Sequence, residues 1–247
     1  MPSRNEKLPA VVFEKDYSAE ASAGNFDPLV TFFHNGEWMI INARAIRENY
    51  GRSHRNVFVG SALLANKPEI KKQRIYVGWN DSPYKGASKF CAEMRAIEIA
   101  DKNGYTRREA IIVPGETDPE VIRSIIGVPS RILPPCEPCR EILSDDTVVM
   151  SIGGKEDIYG AFTGRMLRRG GYLLGKLADV RRPSEDHFVQ PPIFDLGKLN
   201  WAVAEEAYRD FTAELKGDSN LENELRFARA AIAVQVLNDP AYLLDAA

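Results

Sequence analysis

The chain has 247 residues, 44% of them hydrophobic and 27% charged, with a formal net charge of −3 and a pI near 5.8. That length supports a domain-sized apolar core with no need for disulfides or a structural metal to hold it. The acidic balance argues against a broad basic surface for long nucleic acids, and no apolar run approaches the roughly eighteen residues of a membrane span.

The first 20 residues lack the apolar stretch of a signal peptide, so a soluble cytoplasmic protein is expected, with no membrane or nucleic-acid partner. Residues 1 to about 25 are polar and read as a peripheral, poorly ordered extension. Residues 29–49 hold two apolar runs around Asn35-Gly36, which predicts a hairpin or a strand entering a helix. Residues 57–65 and 74–80 read as strands able to pair as a hairpin, with Gly60 marking a close backbone approach. Ser88 is a candidate N-cap for a helix over 90–104, which Gly104 stops.

A short buried strand is expected at 110–113, a helical turn at 118–126, a second helix from Cys136 to near Ser144, and a strand from Thr147. Residues 158–180 read as mixed, with a helical segment around 165–174 whose Arg165, Arg168 and Arg169 form a solvated face. Three prolines between 181 and 194 read as a linker. Two amphipathic helices follow, one over 199–215 and one introduced by the capping-box pair Ser219 and Glu222. The alternation of strands and helices predicts an α/β fold with a mixed sheet. It divides the chain into an extension (1–28), a main domain (29–180) and a helical extension (181–247).

Chemistry concentrates in two fragments, Cys91-Ala92-Glu93 and Pro135-Cys136-Glu137-Pro138-Cys139. They contain all 3 cysteines, which leaves none for a structural disulfide outside the motifs. A C-x-x-C turn at a helix start brings two thiolates to one metal, and a third cysteine from another helix start leaves one tetrahedral position vacant. Zn2+ is the expected cofactor, held by Cys91, Cys136 and Cys139. A structural site would need a fourth protein ligand, and His34, His54 and His187 have no ligand-like spacing. Glu93, on the first helical turn after a ligand, is placed to shuttle protons without binding the metal. Arg95 and Arg140 are the nearest cations in sequence and candidate donors to sulfur.

Cys-Ala-Glu followed by Pro-Cys-x-x-Cys resembles the cytidine deaminase signature, the zinc–glutamate arrangement of nucleobase deaminases. The resemblance extends over residues 40 to 165, through the Val-Gly-x-Ala-Leu run at 59–63 and the strand 75–80 ending in Asn80. It implies a three-layer α/β/α deaminase domain, hydrolytic release of ammonia, and a homo-oligomer. It implies substrate contacts from Asn80 and Ala92, and from Phe58 as a base-stacking aromatic; core packing is the other reading of Phe58. The chain departs from the family pattern at Ser82, where a ribose-binding glutamate is usual, and at Val57, Met94 and Glu137-Pro138. The expected substrate is therefore a cytidine-like nucleoside, base or related small molecule, with blasticidin-type compounds included. A deaminase of single-stranded nucleic acid or tRNA, and a non-catalytic zinc module of the same fold, are the alternatives.

Overall fold

The structure, a computed structural model, describes residues 11–50, 58–80, 91–115, 131–153, 157–169, 193–215, 222–239 and 241. Among them a seven-stranded mixed sheet forms the middle layer. Its strands are β1 (Val11–Asp16), β2 (Gly60–Lys67), β3 (Lys72–Trp79), β4 (Arg107–Gly115), β5 (Val148–Gly153), β6 (Ile158–Thr163) and β7 (Phe194–Asp195), in the order β1-β3-β2-β4-β5-β6-β7. β4 and β5 pair in parallel and the other neighbours are antiparallel. β2 and β3 form the expected hairpin, closed by Pro68 and by Lys71 at φ 52°.

The central strands are buried on both faces, so they read as continuous apolar runs. Side chains alternate between two cores, as the two-residue period of a strand requires. Ala62, Leu64, Ile112 and Met150 point into one; Leu63, Ala65, Ile111 and Val149 point into the other. The first core is covered by α2 (Pro28–Tyr50), following the short α1 (Ser18–Ser22), and by two late helices. The second is covered by α3 (Ala92–Lys102), α4 (Glu137–Ile142) and α5 (Gly164–Arg169). The late helices are α6 (Trp201–Thr212) and α7 (Glu222–Leu237). The expected three-layer α/β/α architecture is present.

Several local expectations change. Asn35-Gly36 makes no turn: α2 runs through it for 23 residues and buries Leu29, Phe32, Phe33, Met39, Ile40 and Ala43 along one stripe. Gly36 is there for space, because a β-carbon would collide with the ring of Trp201 on α6. Residues 11–16 form an edge strand on β3 where a loose extension was expected. Residues 158–163 form β6, and helix is described over Gly164–Arg169, with 170–174 of the expected helical segment outside the described residues. β4 is longer than the expected 110–113, its ends Arg107–Gly115 being extended by pairing to β2 and β5. The turn at 118–126, the caps Ser88 and Ser219, and the proline-rich 181–192 lie outside the described residues.

The late helices share the α2 core. Tyr208 packs on Phe33 with ring centroids 4.9 Å apart, and its hydroxyl donates to Asp27 (2.9 Å), which also accepts from the Leu29 N–H (3.0 Å) at the start of α2. The Asn238 amide bonds both ways with the backbone of Ala161, accepting at 3.1 Å and donating at 2.8 Å. It occupies part of the β6 edge as a strand would, which leaves less of that edge open to other chains.

Candidate active site

β3, β4 and β5 run in the same direction, so α3 and α4, which follow β3 and β4, both start at the same end of the sheet. That topology brings together cysteines 45 residues apart in sequence. Cys91 is the N-cap of α3 and Cys136 that of α4, both with extended backbone (φ −71°, ψ 156° and φ −66°, ψ 165°) and neither making a side-chain capping bond. Their thiols are therefore left to face each other. The Cys91 and Cys136 sulfurs are 3.3 Å apart, Cys136 and Cys139 3.4 Å apart, and all three lie within 4.8 Å of one another.

This donor set suits zinc: sulfurs at about 2.3 Å from a tetrahedral ion stand about 3.8 Å apart, slightly more than the 3.3 Å and 3.4 Å separations here. Three thiols from two helix starts leave, among the described residues, a fourth position without a protein ligand. Among the described residues no other group of histidines, cysteines and carboxylates has metal-binding geometry. His34 is exposed near Glu205, and His54 and His187 lie outside the described residues.

The thiols do not titrate alike. Bonds from Cys139 and Cys91, with the charge of Arg140 nearby, hold the Cys136 thiol far below its ordinary range. Cys91 is pushed up, chiefly by its hydrogen bond with Cys136. Arg140 also reaches the Leu167 carbonyl (3.4 Å), whereas Arg95 lays its guanidinium on the Trp79 ring at 3.8 Å.

Glu93 is 4% exposed in the first turn of α3. Burial, then repulsion by the Cys136 charge, pushes its carboxyl up to about 8. A carboxyl in that range takes up and releases protons near neutrality.

The helix that carries Cys91 and Glu93 is seated on the sheet by two residues that pattern reading overlooks. The Ser61 hydroxyl donates to the Ala92 carbonyl (2.8 Å), and a β-carbon on Gly78 would collide with that same oxygen. Their signal in the sequence is faint: small residues inside strands, where a backbone approaches closely. Gly60, recognised on that ground, does face the Ala43 carbonyl on α2.

Of the proposed substrate contacts, Ala92 is buried between the ligand and the glutamate. Asn80 is 7% exposed and its Oδ1 accepts from the Val59 N–H (2.9 Å), closing the β2–β3 end beside the site. Phe58 is 40% exposed, so it is not a core residue. Val57 and Ser82 lie outside the described residues.

The chain is similar to cytidine deaminases. The enzyme from Burkholderia pseudomallei is 25% identical with a TM-score of 0.41, over 53% of this chain and 94% of that one. The Mycobacterium leprae enzyme is 23% identical (TM-score 0.36; 54% of this chain, 96% of that one). The Mycobacterium tuberculosis enzyme is 18% identical (TM-score 0.35; 47% and 83%). No protein-family model and no curated protein matches the chain. The four residues of the site carry the functional argument.

Proposed function

We propose that this chain is a zinc-dependent hydrolytic deaminase, replacing an exocyclic amine of a cytidine-like nucleoside, base or related small molecule by a carbonyl. The observation that carries the reading is the buried Glu93 carboxyl beside three convergent thiols drawn from two helix starts. Cys91, Cys136 and Cys139 would hold the ion. Zinc in such a site supplies Lewis acidity and lowers the pKa of a water molecule towards neutrality.

Glu93 accepts a proton from the attacking water, and its burial favours the protonated form that results. It then delivers protons to the ring nitrogen and to the departing amine. One water is consumed, the carbon–nitrogen bond breaks, and ammonia leaves. Arg140 tempers the negative charge of the sulfurs, and the exposed Phe58 ring offers a flat face for a heterocycle. Asn80 and the Ala92 backbone line the approach to Glu93.

The test is an ammonia-release screen over cytosine, cytidine, deoxycytidine, adenine and guanine derivatives and aminated antibiotics. With a substrate in hand, Glu93→Gln should retain about one zinc per chain and lose turnover by at least a hundredfold, within the range of general acid–base catalysis. Unchanged turnover would remove Glu93 from this role. Zinc bound without ammonia release from any amine would favour the non-catalytic module.

A further inference from the structure

A second cavity lies at the other end of the sheet. The cysteines stand where β4 and β5 end, whereas this cavity opens where they begin, beside Glu109 of β4 and Asp146 ahead of β5. Its volume is about 210 Å³, below the roughly 300–1,000 Å³ of drug-sized sites, so its ligand is small. Three parts of the chain build it: the N-terminal segment through Tyr17 and Phe26, the sheet through Asn66 and Arg107, and α7 through Arg226 and Arg229.

The two walls differ in chemistry. One is apolar, made by Ala21, Phe26, Pro28, Leu29 and Pro68, with Phe26 held by stacking on Tyr17 at 3.6 Å. The other carries charges of both signs. Its four cations are Lys71, Arg107, Arg226 and Arg229. Glu109, Asp146 and Glu222 oppose them, and Asp27 sits behind Arg229 at 3.3 Å. Arg107 meets Glu222 at 2.9 Å and Arg226 meets Asp146 at 2.8 Å. Each guanidinium has five N–H donors, so such pairing leaves donors to spare.

Asn66, 2% exposed, lines the same space. Its Nδ2 donates to Glu109 (2.7 Å), while its Oδ1 has no hydrogen-bond partner among the described residues. A buried acceptor without a donor costs free energy that a ligand N–H can recover.

We propose that this cavity binds a small zwitterion, an α-amino acid with an apolar side chain. A wall that presents guanidinium donors beside carboxylates and an unpartnered amide oxygen accommodates a ligand carrying both signs. The ligand carboxylate takes the spare guanidinium donors, its ammonium donates to Asn66 Oδ1 among the carboxylates, and its side chain covers Phe26, Leu29 and Pro68. A ligand held there also bridges α7 to the sheet, so occupancy stabilises the fold. The site is independent of the deaminase reading.

Titration calorimetry and thermal denaturation of the full chain with L-leucine and L-valine test it. Saturable binding with a raised melting temperature is expected. 4-Methylpentanoate, which lacks the ammonium, and isopentylamine, which lacks the carboxylate, should each bind at least about tenfold more weakly. Ala21→Trp, which fills the cavity from α1, should abolish binding, and Arg226→Gln should weaken it about tenfold. No binding of either amino acid, equal binding of the one-charge analogues, or binding indifferent to both variants would overturn the proposal.

Discussion

Cys91 and Glu93 are two residues apart, yet their usefulness depends on where Ala92 between them is held. Ser61 and Gly78 fix that point, one by a hydrogen bond and one by having no side chain. Gly78→Ala forces the first turn of α3 away from the sheet. Overpacking of this kind costs about 1–3 kcal/mol, so a lowered urea midpoint is expected, with a larger proportional loss of zinc occupancy than Ser61→Ala causes. Zinc content and unfolding measured on both variants check it; equal zinc occupancy in the two would show that the close approach does not govern the site. The cysteines themselves are simpler. Cys136→Ala removes the thiol that touches both other sulfurs, and metal and activity should disappear together.

At the scale of elements, α2 shows how tertiary contact overrides local preference. Asn-Gly between apolar runs is a strong hairpin signal, but the stripe from Leu29 to Ile46 gains more by lying on the sheet as one helix. Glycine inside a helix ordinarily costs about 1 kcal/mol relative to alanine, so Gly36→Ala would be expected to stabilise. Here the sign should reverse, because Trp201 fills the space and is itself hemmed in by Phe32 and Phe33. In a Trp201→Leu background the ordinary sign should return, and thermal melts of the four combinations would show the crossover. The edge strand β1 was overlooked for a related reason. Its apolar run is only Val11–Phe13, and the charged remainder is held by ion pairs from Glu14 to Lys72 (2.8 Å) and to Arg74 on β3.

For the whole molecule, the buried network around Glu109 ties α7 to the sheet and makes stability depend on pH. Burial raises the Glu109 carboxyl to about 7, against the pull of Arg226 and Arg107, while the unfolded chain ionises it near 4.5. Folding therefore binds a proton between those values. The contribution is complete below pH 4.5 and is lost as the pH rises through about 7. The shift is equivalent to about 3 kcal/mol at most. Glu109→Gln should flatten the fall in urea-unfolding free energy between pH 5 and 8; a slope unchanged from the parent would show that Glu109 stays ionised in the fold.

The sequence by itself determined which residues form the candidate site and the order of the central elements. Three cysteines and a glutamate at those spacings have few other uses, and the runs Leu63–Ala65, Ile75–Val77 and Ile111–Val113 cannot stay in water. Tertiary structure alone decided the rest. The convergence of Cys91 on Cys136 follows from β3, β4 and β5 sharing one direction. The seating of α3 on Ser61 and Gly78, the continuity of α2 under Trp201, and the cavity joining both ends of the chain are contacts between residues far apart in sequence. Local pattern records what a residue prefers, whereas these features depend on which distant surface arrives to meet it.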